Sequence, residues 1–404
     1  MLFQTLDDKA ECLGIFCNDR LIFDRGDFPS EISKTWKFAS YLRDYDIDYA
    51  SLYLEGKPLD QVIPEYLKDD WSDVSKQMRA FRRSLQISQV DLNDTCFYDL
   101  VPSRFLVDYC RVKNQITEYV FAKCPRPLRY EFHRHVSMLL EDISNRKVQL
   151  DQRKMGSYMT VPKLKSYVTA MNNSSYVVYN QFGTKTGRLT NRQGTFPILT
   201  LPKSLREAVL PSNDYFLEID FNGAEVRTLL GLLGKDQPKE DVHTYHLEQV
   251  FGDALTRNDA KVAFFAWLYG SSSATTTSAA ERLDSFYPKQ HILTNFYRDG
   301  NITTPYGRTI ENVSDHHAIN YLVQSTAAEL FLKQALKVDY LLRSSSSGSS
   351  VAFLIHDAIV IDMKKSDDSL VEDVCSLMSS TNFGEFQINI SSGNTLGNLQ
   401  AWIK

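Results

Sequence analysis

The sequence lacks any uninterrupted apolar run of the roughly 18 residues that a membrane-spanning helix needs, so no membrane partner is expected. Its six cysteines (Cys12, Cys17, Cys96, Cys110, Cys124, Cys375) form no C-x-x-C pair. Spacing therefore supports neither a zinc site nor a disulfide frame, and the cysteines read as reduced thiols of a cytosolic protein. The first residues, MLFQTLDDKAEC, place acids where a secretory leader has a basic start and an apolar stretch, so a cytoplasmic location is expected. There is no internal repeat. A basic excess is also missing: the formal charge is −5 and the pI near 5.9, which argues against a simple basic nucleic-acid-binding module.

What is present is 404 residues, enough for two or three domains, with 43% hydrophobic and 24% charged side chains. Charge is unevenly spread. Residues 1–100 hold 12 Lys+Arg against 19 Asp+Glu, whereas residues 101–195 hold 16 against 6. A basic segment thus sits between acidic ones. It reads either as a solvated helical surface or as a surface that tracks phosphates, and charge alone leaves both open.

Along the chain, residues 1–100 mix short apolar runs with a helical stretch at 70–88, a small α/β unit. Apolar residues at helical spacing (Phe105, Leu106, Tyr109, Val112, Ile116, Val120) predict one helix before Pro125 and Pro127, and a second to about Val148. Strands are expected at Tyr176–Tyr179 and Tyr215–Phe221, and a helix from Asn222 that stops at Gly234. Thr256-Arg-Asn-Asp259 resembles a capping box that opens a helix ending at Tyr269. A loop is expected at 271–279, a long helix at Ala318–Leu342 and a flexible connector at 343–350 (RSSSSGSS). Val351–Ile355 and Ile359–Asp362 flank His356-Asp357 and predict a tight hairpin with a carboxylate at its tip.

Two features carry chemistry. Asp220 ends one apolar strand and Asp357 tips a hairpin. A single such Asp is usually a turn residue, but two projecting into one cleft suit Mg²⁺. Arg257, Lys261, Phe265 and Tyr269 recur every four residues along one helix face, with the cations near its positive N-terminal end. Such a face grips a triphosphate and stacks on a base; a plain amphipathic helix has the same spacing.

These pieces occur in a fixed order. EIDFNGAEVRTLL (218–230), RNDAKVAFFAWLYG (257–270) and FLIHDAIVID (353–362) resemble motifs A, B and C of family A DNA polymerases, the bacterial DNA polymerase I group. KTGRLT (185–190), DVHTYHLEQVFG (241–252), TPYGR (304–308) and INYLVQSTAAEL (319–330) add shorter matches, so the resemblance spans about 103–404.

The resemblance implies an α+β right-hand polymerase fold: palm with an antiparallel sheet, fingers and thumb, plus the small N-terminal α/β domain. Residues 1–100 would form that first domain, a relic of an exonuclease. Residues 101–172 would form a basic helical thumb, 173–235 with 306–404 the palm, and 236–305 the fingers. It implies a template-directed DNA polymerase that adds deoxynucleotides to a primer 3′-hydroxyl. Asp220 and Asp357 would hold two Mg²⁺ ions, with Mn²⁺ able to substitute. Arg257 and Lys261 would bind the triphosphate, with His243 touching its phosphates. Phe265 would pack on sugar and base, and Tyr269 would sit by the templating base. Glu225 would exclude a 2′-hydroxyl, and Arg227 would support Glu225 and the metal site. Arg188, Asn320 and Gln324 would contact primer–template DNA, and His356 would lie near the primer end.

The sequence departs from the family at Ala358, where motif C usually has Glu, and at His316, where Arg is common. No D-x-E pair, the metal-binding start of a proofreading exonuclease, occurs in residues 1–100. No proofreading is therefore expected, and an exonuclease or processivity factor would be a separate partner. The compact layout is analogous to phage or plasmid replication enzymes, which would place it in host cytoplasm. Two rival readings are a single-subunit RNA polymerase, whose motif A lacks the counterpart of Glu225, and a DNA-binding replisome scaffold with weak catalysis.

Overall fold

The computed structural model describes residues 1–6, 13–92, 95–252, 255–270 and 277–402. The chain divides into two compact units. One comprises 1–148, 166–182 and 191–197; the other comprises 149–165, 183–190 and 198–404. Among the described residues no helix is long and apolar enough to cross a membrane.

The first unit begins with an antiparallel sheet of β1 (Phe3–Thr5), β2 (Ile15–Cys17) and β3 (Arg20–Ile22). Its three longest helices among the described residues follow: α1 (Lys68–Ile87), α2 (Ser103–Lys123) and α3 (Tyr130–Ser144). The apolar stripe read at 105–120 is the buried face of α2. Gln4 of β1, fully buried, donates its amide N–H groups to Asn114 Oδ1 and Thr117 Oγ1 of α2. The second basic helix stops at Ser144, short of Val148. The strand expected at Tyr176–Tyr179 is reduced to a bridge at Tyr176 and a short strand at Tyr179–Asn180, because the Asn180 carboxamide accepts the Phe182 N–H and turns the chain. Cys96 is disulfide-bonded, so the reading of all six cysteines as thiols does not hold.

The second unit is built on a five-stranded antiparallel sheet. Among its elements, in chain order, are β4 (Tyr215–Phe221), α4 (Ala224–Leu232), α5 (Val242–His246), α6 (Arg257–Leu268), α7 (Asp315–Ser344), β5 (Ser350–Ile355), β6 (Ala358–Met363), α8 (Val371–Ser379), β7 (Ile388–Gly393) and β8 (Gln400–Ala401). The strand order is β5-β6-β4-β7-β8. β4 carries Tyr215, Leu217, Ile219 and Phe221 on one face and Phe216, Glu218 and Asp220 on the other, while β6 is buried along its whole length. The long helix α7 packs against α4 and α8.

Three local sequence signals appear as structure. The capping box forms: Thr256 Oγ1 accepts the Asp259 N–H while the Asp259 carboxylate accepts the Thr256 N–H. Strand β4 has the expected bounds. The hairpin β5–β6 closes through His356 and Asp357, with His356 in the left-handed region at φ 58°. The 343–350 connector departs from its expectation. α7 continues to Ser344, and the Asp367 carboxylate accepts from Ser347 Oγ, Ser349 N and Ser349 Oγ, tethering the serine run. Of the loop expected at 271–279, residues 277–279 open a helix (Thr277–Phe286), and 271–276 lie outside the described residues.

Candidate active site

The register of the sheet brings two distant carboxylates together. Asp220 of β4 pairs with Ala358 of β6, so it stands beside the hairpin tip that carries Asp357. On its other flank Asp220 pairs with Asn389 of β7, whose side chain hydrogen-bonds its carboxylate. Adjacent strands lie under about 5 Å apart, which sets the scale of this cluster.

Asp220 and Asp357 line a cleft of about 440 Å³. Arg257, Lys261, Phe265 and Tyr269 line it too, so the four-residue repeat of α6 and its following turn faces this space. Arg188, Glu225, His243 and His356 complete the set of expected residues on its walls.

Electrostatics mark the floor of the cleft. Burial, followed by the charge of Asp357, pushes the Asp220 carboxyl up from 3.8 to about 7; the Asn389 hydrogen bond and Lys261 oppose this. Burial likewise raises Asp357, offset by its own backbone N–H, His356, Arg188 and Lys261. Two acids that share a buried space and resist joint ionisation fit a divalent cation, whose charge removes the conflict. Ala358, opposite Asp220, adds no third carboxylate.

Above the floor, the Glu225 carboxylate accepts from the Arg188 guanidinium and from Tyr269 Oη at 3.0 Å. Burial raises its pKa, and Arg188 opposes that. Tyr269 also hydrogen-bonds Gln324 and stacks on Phe265 with ring centroids 5.7 Å apart. His243 is buried, and burial first, then Lys261 and Arg257, hold its imidazole down to about 4, neutral at physiological pH. Its buried Nδ1 has no hydrogen-bond partner among the described residues.

Arg188 sits on a loop that glycine makes possible. Gly187 has φ 78°, and a Cβ there would stand 2.5 Å from the Arg308 guanidinium. Arg308 in turn lies against Glu329, which is fully buried and also accepts from Thr304 Oγ1.

Three expected residues lie off the cleft. Asn320 and Gln324 sit one turn apart on α7; Gln324 reaches the site through Tyr269, and the buried Asn320 Oδ1 has no hydrogen-bond partner among the described residues. Arg227 does not support Glu225. It is fully buried and donates to Asn222 O, Pro238 O, Glu240 O and Gln387 Oε1. Positions two apart on a helix point to roughly opposite sides, so Glu225 faces the cleft and Arg227 the chain behind it.

Two residues of the cleft escaped the sequence reading. Asp241 heads α5 and takes a bidentate pair from Arg257, Nε at 2.8 Å and Nη2 at 2.6 Å. An Asp before a helical run is an N-cap signal, which shows its local role only. Asn389 has no sequence signal, since its place follows from strand register.

Comparison with known proteins gives a consistent likeness. No protein-family model matches the chain. DNA polymerase I of Pseudomonas aeruginosa is 23% identical over 282 residues, covering 58% of this chain and 31% of that protein. DNA polymerase I of Geobacillus stearothermophilus is 23% identical over 277 residues, covering 57% and 31%. The matched stretch thus spans about a third of those relatives' own length. Among solved structures, the POL domain of Pol1 from M. smegmatis, in complex with DNA primer-template and dNTP, superposes with a TM-score of 0.69 at 12% identity, covering 98% of this chain and 95% of that one. The fold is therefore the α+β right-hand polymerase fold, and the chain resembles family A DNA polymerases in sequence and in architecture.

Proposed function

We propose that this chain is a DNA-directed DNA polymerase that extends a primer 3′-hydroxyl with deoxynucleoside triphosphates on a template strand, without removing nucleotides from the 3′ end. The observation that carries this reading is the meeting of Asp220 and Asp357 in one cleft with Arg257 and Lys261. Within it, residues 101–172 act as thumb, 173–235 with 306–404 as palm, and 236–305 as fingers.

Asp220 and Asp357 are the residues that would hold Mg²⁺, whose contribution is to acidify the attacking hydroxyl and neutralise the leaving oxygens. The 3′-hydroxyl gives its proton to water, its oxygen forms a bond to the α-phosphorus, the bond from that phosphorus to the bridging oxygen breaks, and pyrophosphate leaves. Arg257 and Lys261, at the N-terminal end of α6, neutralise charge as it builds on that leaving group. His243, kept neutral by its surroundings, offers the phosphates a hydrogen bond without adding charge. Phe265 and Tyr269 supply stacked rings for the sugar and the base pair. Glu225, held by Arg188 and Tyr269, presents a fixed carboxylate against a 2′-hydroxyl. Arg188, Asn320, Gln324 and His356 serve the primer–template, and the basic thumb adds phosphate contacts.

The test is primer extension with Mg²⁺ by the full chain beside its Asp357→Ala variant, with each nucleotide type supplied. Deoxynucleotide addition by the wild type and its loss in the variant are expected, with DNA affinity little changed. Equal extension by the two proteins contradicts the reading, and a preference for ribonucleotides favours the RNA polymerase alternative.

A further inference from the structure

The Asp241 carboxylate does more than cap a helix. A cap needs one oxygen, and Oδ1 fills that role, accepting from His243 N at 3.1 Å and Thr244 N at 3.0 Å. Oδ2 is used differently. It accepts from Asn222 Nδ2 at 3.0 Å and from Arg257 Nη2 at 2.6 Å, while Arg257 Nε closes the fork on Oδ1. Asn222 lies two residues beyond Asp220, in the turn that leaves β4, and its Oδ1 accepts the Val242 N–H at 3.0 Å.

One carboxylate therefore joins three pieces: the turn after the Asp220 strand, the head of α5 and the first residue of α6. Its seat is itself fixed from behind. The buried Arg227 guanidinium holds Pro238 O at 2.8 Å and Glu240 O at 3.0 Å, the residues that lead into Asp241. Gly223, at φ 71°, lets the turn pass close to Val242 where any Cβ would collide with that side chain.

We propose that Asp241 is the positioning residue for Arg257, fixing its guanidinium over the cleft at a set distance from the Asp220 strand. The fork engages Nε and Nη2. Among the described residues Arg257 has no other side-chain partner, so Nη1 and the second Nη2 hydrogen remain for the incoming triphosphate. The bonds on Asp241 fill its lone pairs, so it is no third ligand for a metal. The Arg257 guanidinium holds its carboxyl well below the usual carboxylate range, which keeps the clamp charged throughout the working pH range.

This inference rests on the proposed polymerase function but makes a prediction of its own, whose sign separates it from simple charge. Removing an acid from a triphosphate site should tighten substrate binding if charge alone mattered. A positioning role requires the opposite. Asp241→Asn keeps an acceptor for the cap and loses the fork. In primer extension it should raise the KM for each deoxynucleoside triphosphate by about tenfold, with kcat changed less than about threefold. Asp241→Ser, also a capping residue, should do the same if the Asn variant folds poorly.

A double-mutant cycle supplies the second readout. Arg257→Ala should raise KM by itself, and adding Asp241→Asn to it should raise KM no further, because Asp241 acts through Arg257. A KM that is unchanged or lowered in Asp241→Asn and Asp241→Ser overturns the proposal, as do losses that multiply in the double variant. Failure of the wild type to extend a primer would instead overturn the polymerase reading, so the two failures are distinguishable.

Discussion

Replacing Asp220 with Asn should make the metal-free protein more stable while ending nucleotide addition. The magnitude follows from the cleft floor. Burial and the neighbouring Asp357 raise the Asp220 carboxyl from 3.8 to about 7 in the folded chain. Each pH unit of displacement is worth 1.36 kcal/mol, so ionised Asp220 costs the fold about 4 kcal/mol at pH 8. The direction matters: a carboxyl with a raised folded pKa binds its proton more tightly when folded. This group's contribution is therefore most favourable below about pH 4, declines between pH 4 and 7, and is level above. Asn is uncharged at all these values, and its carbonyl can still accept the Asn389 bond. In EDTA at pH 8, Asp220→Asn should raise Tm on the order of 5–10 °C in a calorimetric scan. At pH 5 the gain should shrink to less than about half, because the wild-type carboxyl is then largely protonated. Millimolar Mg²⁺ at pH 8 should narrow the gap by stabilising the wild type. Equal Tm values in EDTA at pH 8, or a gain that does not change with pH, would refute the raised Asp220 carboxyl from which the magnitude is worked.

Two further outcomes are expected. Gly187→Ala must place a Cβ at φ 78° and 2.5 Å from Arg308, so it should lower Tm by several degrees and weaken primer–template binding measured by fluorescence anisotropy; an unchanged affinity would separate the loop from DNA binding. Glu225→Ala frees both Arg188 and Tyr269, and should reduce discrimination against ribonucleotides by about tenfold in the ratio of kcat/KM values; an unaltered ratio would remove Glu225 from sugar selection.

The parts of the site that were legible in the sequence are those set by local geometry. The four-residue repeat from Arg257 to Tyr269 needs only a helix to become one face, and the Thr256–Asp259 box marks where that helix starts. The His356–Asp357 tip needs only a hairpin. What the sequence hid depends on partners chosen by the fold. Arg227 stands two places from Glu225 in sequence yet is turned to the opposite side, where backbone carbonyls from 238 and 240 receive it. Asn389 meets Asp220 because β7 pairs with β4 in one register out of several that an alternating strand could take. The serine run at 343–350 has the composition of a free linker, but Asp367, on another segment, binds it. The grip of Asp241 on Arg257 likewise depends on how α5 and α6 meet.

The sheet also separates what can vary from what cannot. Its one irregular step falls between Val351 and Phe353 on the outer strand β5, while the pairings of Asp220 with Ala358 and with Asn389 run unbroken through the centre. An outer strand pairs with a single neighbouring strand, so a residue added beside the bulge leaves both flanks of Asp220 in register. The same addition within β6 or β7 would shift one flank of Asp220 by a place and turn every following side chain over.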